Sequence, residues 1–117
     1  MFFSKVVTDK YGHSEKDLYL TQGDTATITS VPKQNGVLID FTLIDKCIFK
    51  ISDYEYKEIF QKECEELTDK YSVTLESEET FDLPIDTLRY EVEYTFIDGT
   101  VNTPNQGKFI VLDQVRQ

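Results

Sequence analysis

The stretch LRYEVEYTFIDGTVNTPNQGKFIVLD, Leu88 to Asp113, constrains the fold more than any other part of the chain. Tyr90, Val92, Tyr94 and Phe96 alternate with Arg89, Glu91, Glu93 and Thr95. A period of two sorts rings to one side of a strand and charges to the other, whereas a helix would scatter both around its circumference. Asp98-Gly99 supplies a hairpin turn, because glycine accepts the positive φ that such turns need. GKFIVLD then returns with Phe109 and Val111 opposed to Lys108, Ile110 and Leu112. Two strands with one buried face must cover that face with a second layer.

The same pattern recurs upstream. Leu18 and Leu20 alternate with Tyr19 and Thr21, and Ala26 and Ile28 with Thr25, Thr27 and Thr29. Cys47, Phe49 and Ile51 oppose Ile48, Lys50 and Ser52; Tyr71, Val73 and Leu75 oppose Ser72, Thr74 and Glu76. PKQNG, Pro32 to Gly36, is a turn cluster. EETFDLPID reads as a turn or a single helical turn with Phe81 and Leu83 facing inward. Short strands at this spacing predict an all-β, immunoglobulin-like antiparallel two-sheet sandwich of about seven strands. A length of 117 residues, 39% of them hydrophobic and 13% aromatic, supports one such core and no second one. The expected division is an N-terminal segment at 1–17, polar and loosely held, and a single domain at 18–117.

Charge narrows the partners. Twelve Lys and Arg face twenty-two Asp and Glu, for a net charge of −10. Nucleic-acid binding depends on clustered cations that release counterions from phosphates, and no basic run exists here. Nucleic acid and anionic membrane are therefore excluded as partners by expectation. No run of 18 apolar residues is present to insert in a bilayer. The N-terminus MFFSKVVTDK lacks the long apolar centre of a secretory signal, so synthesis in the cytoplasm is expected. Cys47 and Cys64 are too few for a zinc site and, in that compartment, are expected as free thiols.

Chemistry is hard to place. His13 is the single histidine and lies in the polar segment YGHSEKD, so no Ser-His-Asp arrangement is legible and no catalytic residue is assigned. Asp40, Asp45, ESEETFD and FIDGT offer carboxylates, but at no spacing of a calcium loop, so no metal or cofactor is expected. Tyr90, Tyr94 and Phe96 belong to one buried face. Tyr11, Tyr19, Tyr54 and Tyr56 lie near polar loops and are the candidates for an exposed interaction surface, where aromatic side chains concentrate.

Taken in order, LTQGDT, CIFKIS, EIFQKE, YSVTLESEETFDLP and the Leu88–Asp113 hairpin resemble the immunoglobulin-like domains of phage and prophage tail-baseplate proteins. The nearest type is the N-terminal domain of the upper baseplate protein. The likeness rests on the Gln-Gly-Asp after the first strand and on Thr80 and Leu83 closing the acidic stretch. It rests further on Tyr90-Glu91-Val92-Glu93, on Asp98 to Thr103, and on Gly107 to Val111. PIDTLRY departs from the pattern, which carries glycine before the tyrosine strand. The resemblance implies a non-catalytic structural module that docks against other virion proteins or itself, made in the bacterial host cytoplasm and then built into the virion. A carbohydrate-binding or adhesin-like module is the alternative, and a small hydrolase a distant third.

One segment gives conflicting signals. Ser52 and Glu55 fit a capping box, and Tyr56, Phe60, Cys64, Leu67 and Tyr71 form a helical stripe, so one short helix around 53–68 is an option. The all-β context and the resemblance favour a strand at EIFQKE, which is the expectation.

Overall fold

A computed structural model of the chain describes residues 14–34 and 36–113. The strands are β1 (Ser14–Glu15), β2 (Leu18–Thr21), β3 (Ala26–Ser30), β4 (Lys33–Gln34), β5 (Val37–Leu38), β6 (Ile44–Ser52), β7 (Glu58–Glu63), β8 (Glu65–Glu66), β9 (Tyr71–Leu75), β10 (Thr87–Phe96) and β11 (Val101–Leu112). Seven of them have four residues or more, as the sequence pattern predicts. A 3-10 turn at Phe41–Leu43 and helix α1 at Ser77–Phe81 complete the described elements.

The larger layer runs β7–β6–β10–β11, with β1 and β2 both on the far edge of β11. The smaller layer is β3–β9–β8, and β4–β5 is a separate ribbon. Neighbours are antiparallel, with one correction to the expected topology. β1 and β2 pair with β11 in parallel, Ser14 opposite Asn105 and Leu18 opposite Phe109. β1 thus falls inside the segment 1–17 expected to be loosely held.

Between the layers, Leu18, Ile28, Cys47, Phe49, Ile51, Leu75, Leu88, Val92, Tyr94, Phe109 and Val111 are almost fully buried. All but Leu88 are residues that the alternation assigns inward. Phe49 packs edge-on to Phe109 at 6.0 Å and Tyr71 edge-on to Tyr94 at 5.5 Å, the orientations aromatic quadrupoles prefer. Polar groups in this interior are paired. Ser30 Oγ donates to Asn105 Oδ1 and lies 2.6 Å from the Tyr94 hydroxyl, which joins the two sheets. Gly107 has a steric role: a Cβ there would stand 2.6 Å from the carbonyl oxygen of Lys16. The same oxygen accepts the Tyr90 hydroxyl at 2.6 Å, so it is held against β11.

The helix considered around 53–68 does not form. Residues 53–57 are a turn, followed by β7 and β8. β6 would otherwise have a free edge, and pairing Phe60 with Ile51 and Glu63 with Ile48 satisfies it, which outweighs the local helical stripe. At Cys64 the chain changes layers, β7 belonging to the large sheet and β8 to the small one. The actual helix is α1, where Glu76 and Glu79 form a reciprocal capping box. Leu83 is buried as expected, but Phe81 is 60% exposed, because α1 presents Thr80 to the interior instead.

Candidate interaction face

The outer face of the large sheet has an uneven composition. Near its middle, Lys50 pairs with Glu93 at 3.2 Å across β6 and β10. Toward the end where β6 finishes, aromatic and cationic side chains join Glu58 and Glu91. Register places Tyr19 beside Ile110, and Ile110 beside Thr87, in one row across β2, β11 and β10. The adjacent row is Lys108, Arg89 and Ser52. Leu88, Tyr90 and Phe109 point into the core, so Arg89 and Lys108 point outward.

Tyr54 and Tyr56 reach this face from the turn between β6 and β7. The Asp53 carboxylate accepts the N–H groups of Glu55 at 2.8 Å and Lys57 at 2.9 Å. Backbone bonds from Asp53 N–H to the Lys57 carbonyl and from Tyr56 N–H to the Asp53 carbonyl, both 3.0 Å, close the turn. That geometry forces Tyr56 to φ +64°, the only positive φ at a non-glycine position among the described residues. A tyrosine there costs of order 1–3 kcal/mol relative to relaxed backbone. The two rings flank one cation: the Arg89 guanidinium carbon lies 5.7 Å from the Tyr54 ring centre and 5.0 Å from that of Tyr56. Such contacts at exposed sites contribute about 0.5–1 kcal/mol each.

Of the residues that the sequence nominates, Tyr19 is 54% exposed, Tyr54 47% and Tyr56 73%. The structure brings Tyr54 and Tyr56 together on Arg89 and places Tyr19 on the same face, one row away. Tyr11 and His13 lie outside the described residues. Sequence reasoning misses Arg89 and Lys108. Each is legible as an outward residue of its strand, but their pairing follows only from the register of β10 with β11.

Nothing on this face is arranged as a catalytic set. The depression bounded by Ser52, Tyr56, Arg89, Glu91 and Gln106 holds only about 40 Å³. Buried ionisable groups elsewhere are shifted toward their neutral forms. The Cys64 thiol beside Cys47 and then burial push the Cys47 thiol up, and burial foremost raises the hydroxyl of Tyr94. Both are therefore poor nucleophiles at neutral pH. Among the described residues no group of three or more metal-ligating side chains occurs.

No protein-family model and no curated protein matches the sequence. Among solved structures, the fold is similar to the fibronectin(III)-like modules of Clostridium thermocellum CbhA, at 12% identity and a TM-score of 0.50, over 86% of this chain and 92% of that one. CopC from Methylosinus trichosporium OB3b matches at 11% identity and a TM-score of 0.48, over 86% of this chain and 88% of that one. At such identities the likeness concerns the fold, an immunoglobulin-like β-sandwich.

Proposed function

We propose that this chain is a non-catalytic docking module that binds protein through the Tyr54–Tyr56–Arg89 end of its large sheet. We further propose that it serves as a structural part of a phage or prophage tail or baseplate. The carrying observation is Tyr56, whose ring is held outward on strained backbone beside an arginine. Tyrosine and arginine dominate binding energy at protein interfaces, where their large rigid groups are desolvated. The turn closed by Asp53 and the strand carrying Arg89 hold these groups in place, which lowers the ordering cost at the moment of binding. The virion setting draws support from the order of motifs from Gln22 to Val111. A sugar platform fits less well, because the guanidinium lies over both tyrosine rings and occupies faces that a pyranose would need.

The test is to induce the phage, purify particles and quantify this chain by mass spectrometry. A fixed ratio to tail proteins is expected, with loss from the particles on Tyr56→Ala combined with Arg89→Ala. Particles without the chain would overturn the virion reading.

A further inference from the structure

Two local choices on the docking face work against the fold. Tyr56 takes a backbone conformation that glycine or asparagine would adopt more cheaply. Arg89 and Lys108 are direct cross-strand neighbours, and like charges in that position are destabilising. In a chain with twenty-two acids and twelve cations, a cation opposite a cation is the less expected outcome. Among the described residues neither forms an ion pair, and the Arg89 guanidinium rests against the two tyrosine rings. Conflicts of this kind gather where binding, not folding, sets the residue.

We infer that the occupant of this face is the acidic edge of a second copy of the chain, its carboxylates accepting from Arg89 and Lys108. The inference rests on the docking reading above and names its partner. Carboxylates match the fork of a guanidinium. The chain itself carries the complement. Glu63 ends β7, Glu65 and Glu66 form β8, and Asp69 follows; all four are exposed and none forms an ion pair among the described residues. Leu67, 38% exposed between them, adds an apolar contact. Glu63 is opposite Ile48, four residues along β6 from Ser52, which places it roughly 13 Å from the Arg89 row. That separation keeps the two surfaces from closing on each other within one chain. Face and edge are different patches, so the contact is heterologous and repeats from copy to copy, giving rings or filaments.

Sedimentation velocity of the full chain over a range of concentrations, at low and at high salt, tests this. Association that rises with concentration and weakens with salt is expected. Arg89→Glu with Lys108→Glu should weaken it by about tenfold or more, and so should Glu65→Lys with Glu66→Lys. Mixing the two double variants should restore association, because each then supplies the charge the other lacks. Far-UV circular dichroism checks that the variants are folded. A monomer at every concentration in low salt, or association indifferent to both double variants, would overturn the proposal. If the chain is monomeric but the Arg89→Ala, Tyr56→Ala variant still drops out of purified particles, the second copy is ruled out and the docking reading stands. If the chain self-associates but is missing from particles, the virion reading fails and the self-docking stands.

Discussion

The Thr80 hydroxyl donates to the carbonyl of Asp24 at 2.8 Å and accepts the N–H of Gly23 at 3.1 Å, tying α1 to the turn between β2 and β3. Ser77 Oγ and the Gln22 side chain reinforce the junction, donating to the carbonyls of Gly23 and Leu83. Thr80 is fully buried, so its loss removes both hydrogen bonds that hold α1 to this turn. Thr80→Val, which keeps the shape, should destabilise the chain by about 1–3 kcal/mol. Chemical denaturation reads this directly, and Thr80→Ser should recover most of the loss. An unchanged midpoint for Thr80→Val would refute the latch.

Gly107→Ala places a methyl group 2.6 Å from the Lys16 carbonyl oxygen and 3.2 Å from the Tyr90 ring. Both neighbours are held by their mutual hydrogen bond, so neither can yield cheaply. A loss of about 1–3 kcal/mol is expected, with β1 and β2 displaced from β11. Faster amide exchange at residues 18–21 than in wild type would register the displacement; equal rates would refute it.

Tyr56→Gly should behave in the opposite way. Glycine accepts the left-handed backbone, so the relief of strain offsets the lost ring contact and stability should stay within about 1 kcal/mol of wild type or rise. Docking should weaken nonetheless. A large loss of stability would show that the ring serves the fold and not a partner.

Burial, with Glu66 adding to it, pushes the Tyr71 hydroxyl up to about 12. An unfolded tyrosine ionises near 10, so above that pH the unfolded state releases a proton that the folded state retains. Stability from this group is full below pH ~10 and is lost as pH climbs toward 12. Tyr90 and Tyr94, also raised by burial, push the same way. Phenolate absorbance should therefore appear together with loss of the sandwich in alkali. Tyr71→Phe should move that transition upward.

Cys64 N–H donates to the Cys47 carbonyl at 2.8 Å, and the two thiols are in contact, both reduced. Directly opposed antiparallel residues have Cα separations near 5.5 Å, within the range a disulfide spans. Oxidised glutathione at alkaline pH, where thiolate forms, should close this bridge, starting at the half-exposed Cys64, with an intramolecular mass loss of about 2 Da and release of two equivalents of glutathione. A loop of this size corresponds to about 3 kcal/mol of stabilisation, visible as a higher melting temperature that dithiothreitol reverses. Intermolecular dimers alone would count against it.

Much of this architecture was legible because the chain alternates cleanly wherever one face is buried. The inward sets around Phe49, Val73, Tyr94 and Phe109 follow from a period of two and need no tertiary knowledge. The parallel first strands were not legible, since alternation says which face is buried but not which neighbour a strand takes. Phe81 misled for a related reason: a single helical turn has too few residues to establish a buried side, and Thr80 has a hydrogen-bonding reason to claim it. At the docking face, exposure of Tyr54 and Tyr56 was readable from their polar surroundings. The positive φ of Tyr56 was not, because it arises from the carboxylate of Asp53 closing the turn. Arg89 beside Lys108 required the strand register, which is set by the bulge between Val92 and Tyr94.

The parallel docking of β1 and β2 on β11 also has a mechanical consequence. Tension applied between the N-terminal side of β1 and the C-terminal side of β11 would slide these strands along each other. In that shearing geometry the bonds linking Leu18–Thr21 to Phe109–Leu112 share the load and must break together, whereas an antiparallel pair pulled at one end unzips bond by bond. A series of such domains would transmit force along its length before any one of them opened.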